Sequence, residues 1–211
     1  MTNPVLYHCP QTRGGTTHWM NEELGAPCDI KLIDVRKGEQ KSADYLAINP
    51  MGKVPAMTHE GQSVTECAAI CAYLADLYPE KGLAPTHDDP KRGTYFRWMF
   101  FAPSCIEPAM LDAFSGQKRE NPASTGHGLV EDVLKAIDSA LENGPYLLGD
   151  QFSAADVVFG GTLNFALMFG AFDKKPAYVE YTQRLMARPA VAAGNAKNVA
   201  WMKEMGWEVA Q

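Results

Sequence analysis

The segment Asn49-Pro50-Met51-Gly52-Lys53-Val54-Pro55, followed ten residues on by Thr65-Glu66-Cys67, gathers groups that could hold a short peptide by its backbone and its carboxylates. Proline pushes the residue before it into extended geometry, so Val54 reads as a strand-like residue held ahead of Pro55. With a cis Val54–Pro55 bond, the Val54 N–H and C=O would face outward, free to pair with an extended tripeptide as a short added strand. Glu66 and Cys67 open an apolar helical run, where the first backbone N–H groups and the helix dipole favour a carboxylate. A peptide with an amide in its middle and a carboxylate at each end suits that pattern. The same residues also suit a plain hairpin with a buried proline followed by an ordinary capped helix.

Several other chemistries find little support. The net charge of −6, with no Lys/Arg run longer than two residues, argues against a nucleic-acid partner. Cys9, Cys28, Cys67, Cys71 and Cys105 are an odd set without a CxxC pair, which suits free thiols in a reducing cytoplasm. Cys67 and Cys71 share a helical face, but no further Cys or His lies at ligand spacing, so no metal is expected. His8, His18, His59, His87 and His127 are scattered with no i, i+4 pair, and Gly14-Gly15 lacks the Lys-Ser/Thr of a phosphate loop. The N-terminal stretch shows no basic flank before an apolar segment, so no signal peptide is expected. The most apolar stretch, Val157 to Phe172, carries Thr162 and Asn164 and is shorter than the roughly 20 residues of a membrane span. It reads as a core helix, and no membrane partner is expected.

The elements that must position the 49–67 residues follow from periodicity. Residues 4–8 read as a strand, Gly15 to Leu24 as a helix stopped by Gly25, and Cys28 to Val35 as a second strand. A short helix near Ala43 to Ala47 comes next, then two strands around the Glu60-Gly61 turn, then a helix from Cys67 to Tyr78 halted by Pro79. The order β-α-β-α-β-β-α implies an α/β unit with a mixed sheet over residues 1–79. A Pro-rich, charged stretch at 80–90 reads as a linker, and residues 91–211 as an all-helical domain. Within that domain, residues 91–114 are helical with breaks near Pro103 and Pro108, and Ser153-Ala-Ala-Asp156 has the form of a capping box. At 211 residues, 46% hydrophobic and 21% charged, the chain suits two packed domains.

Several motifs in order carry a resemblance to the cytosolic glutathione transferase family. They are Leu6-Tyr7…Pro10, Asn49-Pro50…Gly52-Lys53-Val54-Pro55, Glu66…Ala69-Ile70…Tyr73-Leu74, Leu148-Gly-Asp-Gln-Phe-Ser-Ala-Ala-Asp156 and Arg188-Pro-Ala-Val191. The general look is that of bacterial members with theta- or phi-like sites. The resemblance implies a thioredoxin-like N-terminal domain that binds glutathione, a helical domain that forms most of an electrophile pocket, and a cytoplasmic homodimer. Pro55 would be the family's cis-proline, and Val54 would pair with the cysteinyl backbone of glutathione. Glu66 would face the γ-glutamyl ammonium, with Thr65 and the backbone at Cys67 beside it. Lys53, Gln40 and Lys41 would meet the glycyl carboxylate. Cys67 is a departure, since the family usually has Ser there. Its thiol is a weaker donor than a hydroxyl.

Conjugation needs the thiolate, and lowering a thiol pKa by about two units takes roughly 2.7 kcal/mol of anion stabilisation. Alignment on Leu6-Tyr7 and Pro10 puts Thr12 where theta-like members carry their catalytic serine, with Arg13 as an adjacent cation. Thr12 would equally serve as a helix N-cap. Cys9 is a rival for thiol-transferring chemistry, and Tyr7 matches the tyrosine of alpha-, mu- and pi-like members. Phe101, Cys105, Ile106, Met110 and Phe114 are expected to wall the pocket for a small hydrophobic electrophile, although an apolar helix face reads the same when it is core. Two other readings stand beside a transferase. One is a glutathione-dependent peroxidase or disulfide reductase. The other is a non-catalytic binding or regulatory protein, which the Cys67 departure favours.

Overall fold

The computed structural model describes residues 2–117 and 121–208, with the side chain of Pro122 left aside. The chain divides into two compact units, Met1–Tyr78 with Ala187–Gln211, and Pro79–Met186. In the first unit the elements are β1 (Val5–His8), α1 (Gly14–Glu23), β2 (Asp29–Leu32), α2 (Ala43–Leu46), β3 (Ala56–His59), β4 (Gln62–Thr65) and α3 (Cys67–Leu77). That is the expected β-α-β-α-β-β-α order.

The sheet runs β2-β1-β3-β4. β2 lies parallel to β1, with Leu6 opposite Ile30, which requires the α1 crossover between them. β3 lies antiparallel to β1, with Leu6 opposite Met57, and β4 antiparallel to β3. Glu60 and Gly61 both take positive φ, 47° and 75°, the backbone twist a two-residue hairpin turn demands. Ala68, Ile70, Cys71, Leu74 and Ala75 are the buried positions of α3, while α1 buries Thr17 to Asn21. The unit is a thioredoxin-like domain.

The second unit holds α4 (Lys91–Phe101), a five-residue π-turn (Ala102–Ile106), α5 (Glu107–Ser115), α6 (Val130–Ala140), α7 (Ala154–Met168) and α8 (Pro176–Met186). The break expected near Pro103 is that π-turn, where the helix is locally underwound rather than ended. Nearly every residue of α7 from Ala154 to Leu167 is buried, so it is the central helix of this unit. At Gly160 an added Cβ would stand 2.1 Å from Leu185 Cδ1, so the glycine lets α7 and α8 approach closely. No helix among the described residues is long and apolar enough to cross a membrane.

The expected single cut at the linker needs one correction. The last helix, α9 (Pro189–Glu204), belongs with the first unit rather than with a helical domain spanning 91–211. Charge pairs and aromatic packing tie it to α1. Arg188 grips Glu23 with two bonds of 2.6 and 2.8 Å, and Lys197 reaches Glu22 at 2.6 Å. Trp201 packs at a tilt against His8 and His18, with ring centroids 5.4 and 4.9 Å away.

Candidate functional site

Asn49 organises the loop that delivers Val54. It is 3% exposed, and its side chain donates to the Lys53 carbonyl at 2.8 Å and accepts the Met51 N–H at 3.1 Å. The Tyr45 hydroxyl donates to the same Lys53 carbonyl at 2.7 Å. Burial pushes the Tyr45 phenol up to about 12, so it stays a protonated donor. The loop leads into a cis Val54–Pro55 bond, as the sequence led one to expect. Neither the Val54 N–H nor its C=O has a partner among the described residues, whereas Ala56 onward is paired in the sheet. Val54 thus offers one strand-like donor and one acceptor.

Gln40 and Lys41 close on the same loop. Lys41 Nζ donates to the Met51 carbonyl at 3.1 Å, and the Gln40 side-chain amide donates to the Val35 carbonyl at 3.3 Å. Gly52 sits between them at φ 57°, and a Cβ there would lie 2.8 Å from the Gln40 carbonyl oxygen. Glycine is required by both the conformation and the space. The contact brings Gln40, Lys41 and the exposed Lys53 into one neighbourhood, a cationic rim suited to a carboxylate.

At the junction of β4 and α3, Glu66 is the residue before the helix and holds φ 69°, ψ 127°. A side-chain-bearing residue in that region costs on the order of 1–3 kcal/mol, and such strain concentrates at binding sites. The Glu66 side chain is exposed, Thr65 is half-buried, and the first turn of α3 presents N–H groups that no intrahelical carbonyl can take. Cys67 has a definite job. Its Sγ donates to the Arg13 carbonyl at 3.4 Å, joining the start of α3 to the start of α1. That bond brings the 65–67 junction and the 12–13 turn together.

Thr12 makes two bonds within its own turn. Its hydroxyl donates to the Cys9 carbonyl at 2.7 Å and accepts the Gly14 N–H at 3.0 Å. It therefore satisfies one open amide at the head of α1, the capping alternative read from sequence. Its single proton is engaged with Cys9, so donation to another anion means turning the O–H away from that carbonyl. Cys9 itself is 0% exposed, packed with Met202, Trp207 and the partly buried Val35 and Val54. Burial raises its thiol pKa, the opposite of what redox or nucleophilic chemistry needs. Tyr7 packs edge-on against Tyr45 in the core beneath α2.

The residues expected to wall an electrophile pocket divide by exposure. Ile106 and Met110 are buried, at 0% and 3%, and Phe101 meets Trp98 edge-on and stacks on Phe159. Cys105 is half-buried and Phe114 is 46% exposed, so these two offer accessible surface. Among the described residues no group of three or more His, Cys, Asp or Glu could hold a metal ion. Sequence reasoning gave no role to Asn49 or Tyr45. Asn49 stood inside the quoted motif, and its place just before a turn-forming proline was the available signal.

Comparison with known proteins matches both parts of the chain to one family. Residues 5–76 match the glutathione S-transferase N-terminal domain, and residues 92–189 match the glutathione S-transferase C-terminal domain. Glutathione S-transferase 2 of Schizosaccharomyces pombe is 28% identical over 208 residues, spanning 85% of this chain and 90% of its own. The glutathione S-transferase GstA of Escherichia coli O157:H7 is 25% identical over 189 residues, 88% of this chain and 94% of its own. A crystal structure of a Methylococcus capsulatus glutathione transferase superposes with a TM-score of 0.74 at 31% identity, covering 93% of this chain and 99% of that one. A Sulfitobacter glutathione transferase homolog with bound glutathione gives 0.73 at 30% identity, with the same coverage. With both halves matched and a Val54 backbone, a strained Glu66 and a cationic rim gathered around one cis-proline loop, the chain belongs to the glutathione S-transferase family.

Proposed function

We propose that this protein is a glutathione transferase that conjugates the glutathione thiolate to small hydrophobic electrophiles. The observation that carries the reading is the unpaired strand-like backbone of Val54, set between the rim of Gln40, Lys41 and Lys53 and the 65–67 junction. Glutathione has an amide backbone in its middle and a carboxylate at each end, so it matches these features in order. Val54 pairs with the cysteinyl backbone beside Pro55. The glycyl carboxylate meets the rim, and the γ-glutamyl group meets Thr65, Glu66 and the amides opening α3.

The thiol then lies by the β1–α1 turn. Thr12 turns its hydroxyl from the Cys9 carbonyl to the sulfur while still accepting from Gly14. Exchanging a neutral acceptor for an anion favours the turn, because charge-assisted bonds are about twice as strong. Arg13 adds a nearby positive charge. The helical unit offers the electrophile accessible apolar surface at Cys105 and Phe114, within the 101–114 stretch. The protein works in the cytoplasm as a homodimer. Both are part of this reading.

Kinetics with a generic aryl halide test it. Thr12→Ala is expected to lower kcat/KM by about 10- to 100-fold, in line with the loss of one charge-assisted bond. Unchanged turnover would remove Thr12 from the role. Gly52→Ala tests the rim. The added methyl forces the Gln40 carbonyl aside, and KM for glutathione is expected to rise by about tenfold, or roughly 1.4 kcal/mol, with kcat little changed. A KM equal to wild type would separate the 40–53 rim from glutathione binding.

A further inference from the structure

Gln11, next to Thr12, holds a left-handed backbone at φ 58°. Residues other than glycine, asparagine and aspartate rarely stay there unless their surroundings fix them. Here a fixing contact comes from the loop that follows β2, the parallel neighbour of β1. Arg36 Nη2 donates to Gln11 Oε1 at 3.0 Å. Arg36 is a long, exposed side chain that would otherwise sample many rotamers. Two things restrain it. Its backbone N–H is held by Asp34 Oδ1 at 3.0 Å, and its guanidinium carbon sits over the Trp207 ring, 3.8 Å from the ring centre. Guanidinium stacking of this kind is directional and favours Arg over Lys.

Trp207 is itself fixed. It is 8% exposed, packs with Cys9 and Met202 against the partly buried Val35 and Val54, and donates its backbone N–H to the Met202 carbonyl at 2.8 Å just past the left-handed Gly206. The end of α9 thus touches two parts of the pocket proposed above. It packs on Val54, the strand-like residue, and reaches the thiol-activating turn through Arg36 and Gln11. Helix packing alone would not need the Arg36 link, since α9 is already held to α1 by Arg188–Glu23 and Lys197–Glu22.

We propose that Trp207 and Arg36 form a clasp of positioning residues that sets the β1–α1 turn, and with it Thr12 and Arg13, for glutathione. This rests on the reading of that pocket as a glutathione site. The clasp touches neither the thiol nor the electrophile. Its loss costs binding and activation of glutathione rather than the fold.

The test compares full-length wild type, Trp207→Ala, Trp207→Phe and Arg36→Ala. It measures KM for glutathione, kcat, the pKa of bound glutathione thiol, and hydrogen exchange of the Gly14 and Gly15 amides without ligand. Trp207→Ala and Arg36→Ala are expected to raise KM for glutathione by about tenfold, to bring the bound thiol pKa back toward its free value, and to speed exchange at Gly14 and Gly15. Trp207→Phe, which keeps a ring under the guanidinium, is expected to restore most of the loss. A wild type that binds glutathione beside alanine variants with unchanged KM, thiol pKa and exchange would overturn the clasp. Failure of Trp207→Phe to rescue would overturn the stacking role as well. If wild type binds no glutathione, the pocket reading fails. The clasp is then judged on exchange alone, and unchanged protection at Gly14 and Gly15 would overturn it too.

Discussion

Asp156→Ala is expected to destabilise the helical unit by about 3–5 kcal/mol, among the largest effects a single substitution produces. Asp156 is 0% exposed and accepts four hydrogen bonds: Leu147 N–H at 2.9 Å, Tyr181 O–H at 3.0 Å, Ser153 N–H at 2.9 Å and Ser153 O–H at 3.0 Å. One carboxylate therefore closes the capping box of α7, fixes the loop before it and ties α8 to both. Burial raises its pKa and the donors oppose that rise. Alanine would strand two backbone N–H groups and two hydroxyls in a dry interior, each orphan costing about 1–3 kcal/mol before relaxation. Asp156→Asn keeps the shape but turns an amide toward donors, so about half that loss is expected. Denaturant unfolding measures both. A loss under about 1 kcal/mol for the alanine variant would show that the four bonds are easily replaced by water.

The second large effect is acid sensitivity centred on His8 and His18. Both rings are buried, their centroids 4.9 Å apart, with Trp201 packed across them from α9. His8 Nε2 bonds Asn198 Oδ1 at 2.7 Å, while only the Gly194 backbone offsets the burial of the His18 ring. Burial holds both below the ordinary value of 6.5, and His18 falls to about 3 with repulsion from His8 and Lys197 added. The Glu22 carboxylate, 3.9 Å from His18 Nε2, is already taken by Lys197 at 2.6 Å and offers little relief.

The folded pKa of each histidine lies below its unfolded value, so between the two the unfolded chain binds more protons. Stability from the neutral rings is complete above about pH 6.5 and drains as pH falls toward about 3. The loss through His18 is on the order of 3–5 kcal/mol. His18→Phe keeps a ring against Trp201 without a titrating group, and its stability is expected to fall less steeply across that window. Parallel pH profiles for the two proteins would contradict this account.

Much of the first unit was legible in the sequence because its cues are local. Alternation, the Glu60-Gly61 turn, Gly25 as a helix stop and Pro55 after an extended valine each act within a few residues, and each recurs in the structure. What escaped was long-range. α9 carries no clear apolar stripe, with only Gly194 and Met202 buried, so its place on α1 came only from Glu22, Glu23, His8 and His18, single residues with no spacing rule. Ile106 and Met110 are buried for a related reason. An apolar helix face has the same periodicity whether it meets a ligand or the core. The Cys67 thiol was expected to be a weaker donor than a hydroxyl, and it spends that donor on the Arg13 carbonyl, a partner that no local pattern names.

The central claim is that the β1–α1 turn ionises glutathione through Thr12. Its most direct test follows the ultraviolet absorbance of the thiolate against pH, with glutathione bound to wild type and to Thr12→Ala. The account predicts that glutathione bound to wild type ionises about two units below its free value, and that the variant binds glutathione yet loses most of that shift. Bound glutathione whose thiol titrates at its free value in wild type, or an equal shift in both proteins, would contradict it.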